Sequence, residues 1–108
     1  MLITLEDDGV VRVHKSVDDA VQRVEALDAE ATFRALFDDT GEIYKIEWIR
    51  PNTQGRVLWF IVGNGEYSLV PAGGRDVRAV INLLTDAKFV DPPEARETLL
   101  SKLEALAG

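Results

Sequence analysis

A chain of 108 residues with 46% apolar and 29% charged side chains has the size and composition of one soluble globular domain. It contains no cysteine, which removes disulfides, zinc–thiolate sites and thiol catalysis from consideration. Its charge of -7, from 19 acids against 12 bases, disfavours nucleic acid and anionic lipid as partners and favours basic ones.

The N-terminal stretch MLITLEDDGVV lacks a basic segment followed by a long apolar one, so no signal peptide is expected. The longest apolar run, VLWFIV, falls far short of the roughly 20 residues needed to cross a bilayer. A cytoplasmic location is the expectation. In chain order, MLITLEDDGVVRVHK reads as two strands around an Asp8-Gly9 turn. Ser16 then caps a helix with Asp19 three residues on, and Val17, Ala20, Val21, Val24 and Leu27 mark its buried face over 17–27.

ATFRALFDD alternates as a half-buried strand, with Phe33, Ala35 and Phe37 on one side. After Thr40-Gly41, EIYKIEWIR places Tyr44, Ile46 and Trp48 on one face and Ile43, Lys45, Glu47 and Ile49 on the other. PNTQG is a loop, and RVLWFIV and EYSLVP follow as strands. A helix is expected after Gly74, with Val77, Val80, Ile81 and Leu84 on its apolar stripe. A last helix is expected to start at Asp91-Pro92, with Leu99, Leu103 and Leu106 facing inward. The order ββαββββαα describes a single α+β domain over 1–108. Its mostly antiparallel sheet of about five to six strands carries helices on one face.

Four of the eight glycines fall within WFIVGNGEYSLVPAGG. A dinucleotide fingerprint needs G-x-G-x-x-G, and a P-loop needs a Lys-Ser/Thr after its last glycine. Residues 63–68, GNGEYS, supply neither. Asn64-Gly65 between alternating runs instead specifies a hairpin over 57–71, with Leu58, Phe60, Val62, Tyr67 and Leu69 on the core face. Its other face carries Val57, Trp59, Ile61, Ser68 and Val70, apolar where a wet face would be polar. Gly73 and Gly74 before a helix, with Arg75 and Arg78, form a weak anion-binding candidate.

His14 is the one histidine, and no Gly-x-Ser-x-Gly elbow accompanies it. No catalytic residue, metal site or cofactor is assigned. The pairs Asp7-Asp8, Asp18-Asp19 and Asp38-Asp39 lack calcium-loop spacing and suit turns and a helix N-terminus. With the first helix running back along the sheet, Asp18, Asp19, Asp38, Asp39, Glu42 and Glu66 are expected to form an acidic rim that steers a basic partner.

Small, acidic, cysteine-free and without a catalytic constellation, the chain resembles in size, charge and layout the immunity proteins that neutralise bacterial toxins, many of them basic nucleases. The resemblance implies a non-enzymatic protein-binding module, using the acidic rim together with Trp48, Trp59, Ile61 and Val70. Two alternatives stand beside it. One is a homodimer joined through the hairpin 57–71; the other is an enzyme or ligand-binding protein using His14, Tyr67 or the Gly73–Arg78 segment.

Overall fold

The first two strands, β1 (Leu2–Glu6) and β2 (Val11–His14), pair in register from Leu2↔His14 to Leu5↔Val11. This computed structural model describes residues 1–25, 28–50 and 66–108. The β1–β2 turn closes through Glu6 N donating to Val10 O at 3.2 Å, and Gly9 takes φ 81°. That positive φ is the αL position of a three-residue loop, which glycine fills without a Cβ clash.

Ser16 Oγ accepts from Asp19 N at 3.2 Å and starts α1 (Val17–Arg23). The helix stops at Arg23, and Val24 turns to extended backbone, so α1 is shorter than its apolar spacing suggests. A single turn, α2 (Ala29–Thr32), leads into β3 (Phe33–Asp38). Then come β4 (Glu42–Arg50), β5 (Glu66–Arg75), α3 (Val77–Asp86), β6 (Val90–Asp91) and α4 (Ala95–Ala107).

Among the described residues the sheet has six strands in the order β5-β4-β3-β1-β2-β6, antiparallel throughout except β2–β6. The fold is therefore α+β with a mostly antiparallel sheet, as the pattern of elements suggests.

Neighbouring residues of a strand point to opposite faces, and here both faces of β1 are covered. Leu2 joins Ala20, Val24, Ala29, Phe33, Leu36, Tyr67 and Leu69 in one apolar cluster beneath α1. Ile3 joins Val11, Val80, Ile81, Leu84, Val90, Leu99 and Leu103 in a second beneath α3 and α4. The helices thus divide between the two faces instead of gathering on one, because α1 and α3–α4 each carry an apolar stripe and β1 offers apolar side chains to both.

Two further expectations give way for identifiable reasons. The alternation of β3 breaks at a register shift opposite Leu5/Glu6, so Phe33 and Leu36 share one face while Phe37 lies against the other cluster. Asp91 does not cap α4. Residues 90–91 are drawn into pairing with β2 (Val11↔Val90, Arg12↔Asp91), and the helix begins at Ala95. The hairpin partner strand 56–62, its Asn64-Gly65 tip and Leu27 lie outside the described residues. No described helix is long and apolar enough to cross a membrane.

Candidate functional site

Beneath α1, the face of β1–β2 that carries Leu2 also carries polar side chains. Thr4 is fully buried, and Glu6 and His14 are nearly so, with Glu6 only 3% exposed. A carboxylate at that depth requires compensation. Glu6 Oε1 accepts from Arg12 Nη1 at 3.0 Å, and Oε2 accepts from Thr4 Oγ1 at 2.9 Å and from Arg23 at the end of α1. Arg12 also grips Asp8 with both terminal nitrogens, at 2.9 and 3.2 Å.

Thr4 Oγ1 stands 3.1 Å from His14 Nε2. Since the threonine has one proton and gives it to Glu6, His14 donates here from a protonated Nε2. Burial pushes the His14 pKa below its ordinary value, and the nearby Arg23 adds to the effect. The ring is therefore neutral at pH 7. Each polar group answers another in the same cluster, and the arrangement pins α1 to the sheet. Tyr67 does the same from β5, its hydroxyl donating to Val24 O at 2.5 Å.

The residues expected to form the acidic rim separate. Leu2↔Asp38 and Leu2↔His14 set Asp38, the β3–β4 turn and the start of α1 at one end of the sheet, so Asp18, Asp19, Asp38, Asp39 and Glu42 share that end. Glu66 pairs with Arg50 at the opposite end of the β4–β5 ladder from Glu42, because the ladder runs the full length of both strands. Two of the five rim acids at this end are also engaged. Asp38 Oδ1 accepts from Thr40 N, Thr40 Oγ1 and Glu42 N. Asp39 pairs with Lys102 of α4 and with the Met1 amine.

Trp48 is half-buried, its ring tilted at 57° against Tyr67 with centroids 5.7 Å apart, and its indole nitrogen donates to Glu30 at 3.0 Å. It works inside the fold. Val70, half-buried, lies in register with Lys45 on the other face of the ladder. Trp59 and Ile61 lie outside the described residues. The anion candidate also changes character. Gly73, Gly74 and Arg75 are the last residues of β5, and α3 starts after Asp76, whose carboxylate accepts from Ala79 N at 3.0 Å. The chain's own carboxylate thus fills the position an anion would take, and Arg78 stands exposed on the first turn of α3.

The end of the sheet at the β1–β2 turn is where further acidic residues collect. Asp7 N donates to Thr32 O at 2.9 Å and brings α2, with Asp28 and Glu30, beside the turn. Val11 N donates to Phe89 O at 3.1 Å and brings the end of α3 and β6 there too, with Asp86, Asp91 and Glu94. Comparison with protein families, curated proteins and solved structures finds no match to this chain.

At this end a cleft of about 390 Å³ opens between the β1–β2 hairpin and α3, lined by Leu5, Val11, Ala79, Leu83, Asp86 and Lys88 among others. Beside it Phe89 is 62% exposed. Neither the cleft nor the Thr4–Glu6–Arg12–His14–Arg23 cluster was anticipated from the sequence. The cluster had a signal: Thr4, Glu6, Arg12 and His14 share one parity in two paired strands, and α1 must cover a face. The cleft had none, since it depends on where α3 crosses the sheet.

Proposed function

We propose that this protein is a non-enzymatic protein-binding module whose β1–β2 end receives a basic partner. One observation carries the reading. At that end the acids Asp7, Asp8, Glu25, Asp28, Glu30, Asp86, Asp91 and Glu94 outnumber the bases, and most of those bases are engaged within the chain. Arg12 holds Glu6 and Asp8, Arg23 holds Glu6, and Arg96 donates to Ala87 O at 2.6 Å. Arg96 keeps its charge beside that neutral carbonyl, so with Glu6 included nine acids face the five bases Arg12, Arg23, Arg34, Lys88 and Arg96, and the field stays negative.

An acidic surface of this kind accelerates association with a cation-rich partner and suppresses anionic ones. A basic bacterial toxin, the partner class implied by the resemblance to immunity proteins, has that chemistry. The polar cluster beneath α1 supports a binding role over a catalytic one, because its groups answer one another.

Capture from a lysate of the native host, followed by titration of the captured protein at two salt concentrations, tests the reading. Wild type is expected to bind a basic protein with a steep salt dependence, and an Asp7→Lys/Glu94→Lys variant to bind it far more slowly. Binding that ignores both salt and charge reversal rejects the proposal.

A further inference from the structure

From the cleft beside α3 we infer the form of the partner's contact: an apolar side chain carried on a basic segment, seated between the β1–β2 hairpin and α3. This rests on the reading above and adds where and how the partner docks.

Helix α3 carries two stripes. Val77, Val80, Ile81 and Leu84 pack into the core with Ile3 and Val11. A second stripe, Ala79, Asn82, Leu83 and Asp86, repeats at the same helical spacing and forms one wall of the cleft. Half-buried Leu5 and exposed Gly9 form the facing wall, with fully buried Val11, paired to Leu5 across β1 and β2, behind them.

A surface helix ordinarily turns polar residues outward; here Ala79 and Leu83 stand half-buried on the cleft side, and Phe89 stands exposed just past its end. The volume, about 390 Å³, lies in the range of true binding pockets, roughly 300–1,000 Å³. It accommodates more than one side chain.

Charge decides the occupant. Asp86 lies in the wall and Asp7 on the turn above it, while Asp8 and Asp91 share the one charge of Arg12, so the rim remains net negative. Lys88 is a cation in the wall, but at the end of a flexible stem that can swing to solvent. An apolar residue flanked by Lys or Arg satisfies both the greasy floor and the acidic rim. An acidic segment meets repulsion from the rim, and a purely polar one leaves the floor unfilled.

The test uses the full chain, labelled with ¹⁵N, and three synthetic peptides of equal length. The first is basic with a central leucine, the second has that leucine replaced by serine, and the third is acidic with the leucine kept. At low salt the basic leucine peptide is expected to shift the amides of Val11, Asn82, Leu83, Asp86 and Ala87, and to bind about tenfold more tightly than the serine peptide. Asn82→Trp, a substitution at an exposed helical position, fills the cleft mouth and should abolish those shifts while leaving the remaining spectrum folded. Asp86→Lys should weaken the basic leucine peptide without restoring the acidic one.

Equal binding of leucine and serine peptides, or indifference to Asn82→Trp, overturns the inference while leaving the basic-partner reading standing. Shifts at the cleft that appear on concentrating the protein alone identify a second copy as the occupant and overturn it as well. Failure of both basic peptides to bind at low salt removes the inference and the reading together.

Discussion

Replacing Glu6 by glutamine keeps the volume of the side chain and removes its charge. The carboxylate accepts three hydrogen bonds, from Thr4 at 2.9 Å, Arg12 at 3.0 Å and Arg23. Bonds to a charged group contribute about 1.5–3 kcal/mol each, so their gross worth is roughly 5–9 kcal/mol. Against this stands the desolvation of a group only 3% exposed, which costs several kcal/mol.

The arginines also have exits. Arg23 is 41% exposed and can turn to solvent, and Arg12 keeps Asp8. The net loss for Glu6→Gln is therefore about 2–3 kcal/mol, below the ~3–5 kcal/mol seen when fully buried pairs are broken. The amide must present its NH₂ group to one of three donors, which prevents a clean substitution. Arg23→Gln, by contrast, should cost only about 1 kcal/mol, because the arginine is partly exposed and Glu6 keeps its bonds from Thr4 and Arg12.

Urea titration followed by tryptophan fluorescence measures both variants, with equal slopes confirming a common unfolding transition. A thermal midpoint lowered by about 10 °C or more is expected for Glu6→Gln in a domain of this size. A loss below about 0.5 kcal/mol for Glu6→Gln would refute the idea that this carboxylate anchors the face under α1. Equal losses for the two variants would refute the assignment of their unequal exposure.

Three further predictions follow from single positions. His14 titrates below its ordinary value in the fold because of burial and Arg23; its contribution is present above pH ~6.5 and is lost as pH falls through the folded pKa. Unfolding free energy measured from pH 7 to 5 should drop less steeply in His14→Gln than in wild type. Burial raises the Tyr67 pKa to about 12, so its contribution is complete below pH ~10 and fades as pH rises through the folded value. Tyr67→Phe should flatten the alkaline limb of a stability–pH curve. At Gly41 the φ is 85°, and an added Cβ would stand 2.7 Å from Val77 Cγ2 and 2.9 Å from its Cα. Gly41→Ala should cost about 2–3 kcal/mol by urea titration, since a positive φ and a backbone clash coincide.

Much of the fold was legible because its signals are local. Ser16 with Asp19, the inward Tyr44–Ile46–Trp48 series, and the Val77–Val80–Ile81–Leu84 stripe all behave as their spacing suggests. What escaped depends on neighbours remote in sequence. The alternation of Thr4, Glu6, Arg12 and His14 has the pattern of a wet strand face, and only the position of α1 makes it a buried one. Asp91 has the features of a helix cap, yet the register of β2 takes it into the sheet. The acidic rim failed as a unit for a similar reason. Five of its members share an end, but Asp38 and Asp39 serve the turn and α4, and Glu66 lies at the far end of a long ladder. Composition foretold an acidic surface; topology decided which end of it faces outward unopposed.

The strand order has a consequence for how the molecule assembles. β1, the earliest strand in the chain, lies in the interior of the sheet, between β2 and β3. The nascent β1–β2 hairpin therefore emerges with one apolar face, carrying Ile3, Leu5, Val11 and Val13, and one face of Leu2 among polar side chains, with no cover for either. Its first cover arrives with α1, its second strand partner with β3 at residues 33–38, and its opposite face stays bare until α3, at residues 77–86, packs on it. Such distant closures slow folding and lengthen the time in which apolar surface is open to aggregation. The earliest-made part of this protein is the part that waits longest for its surroundings.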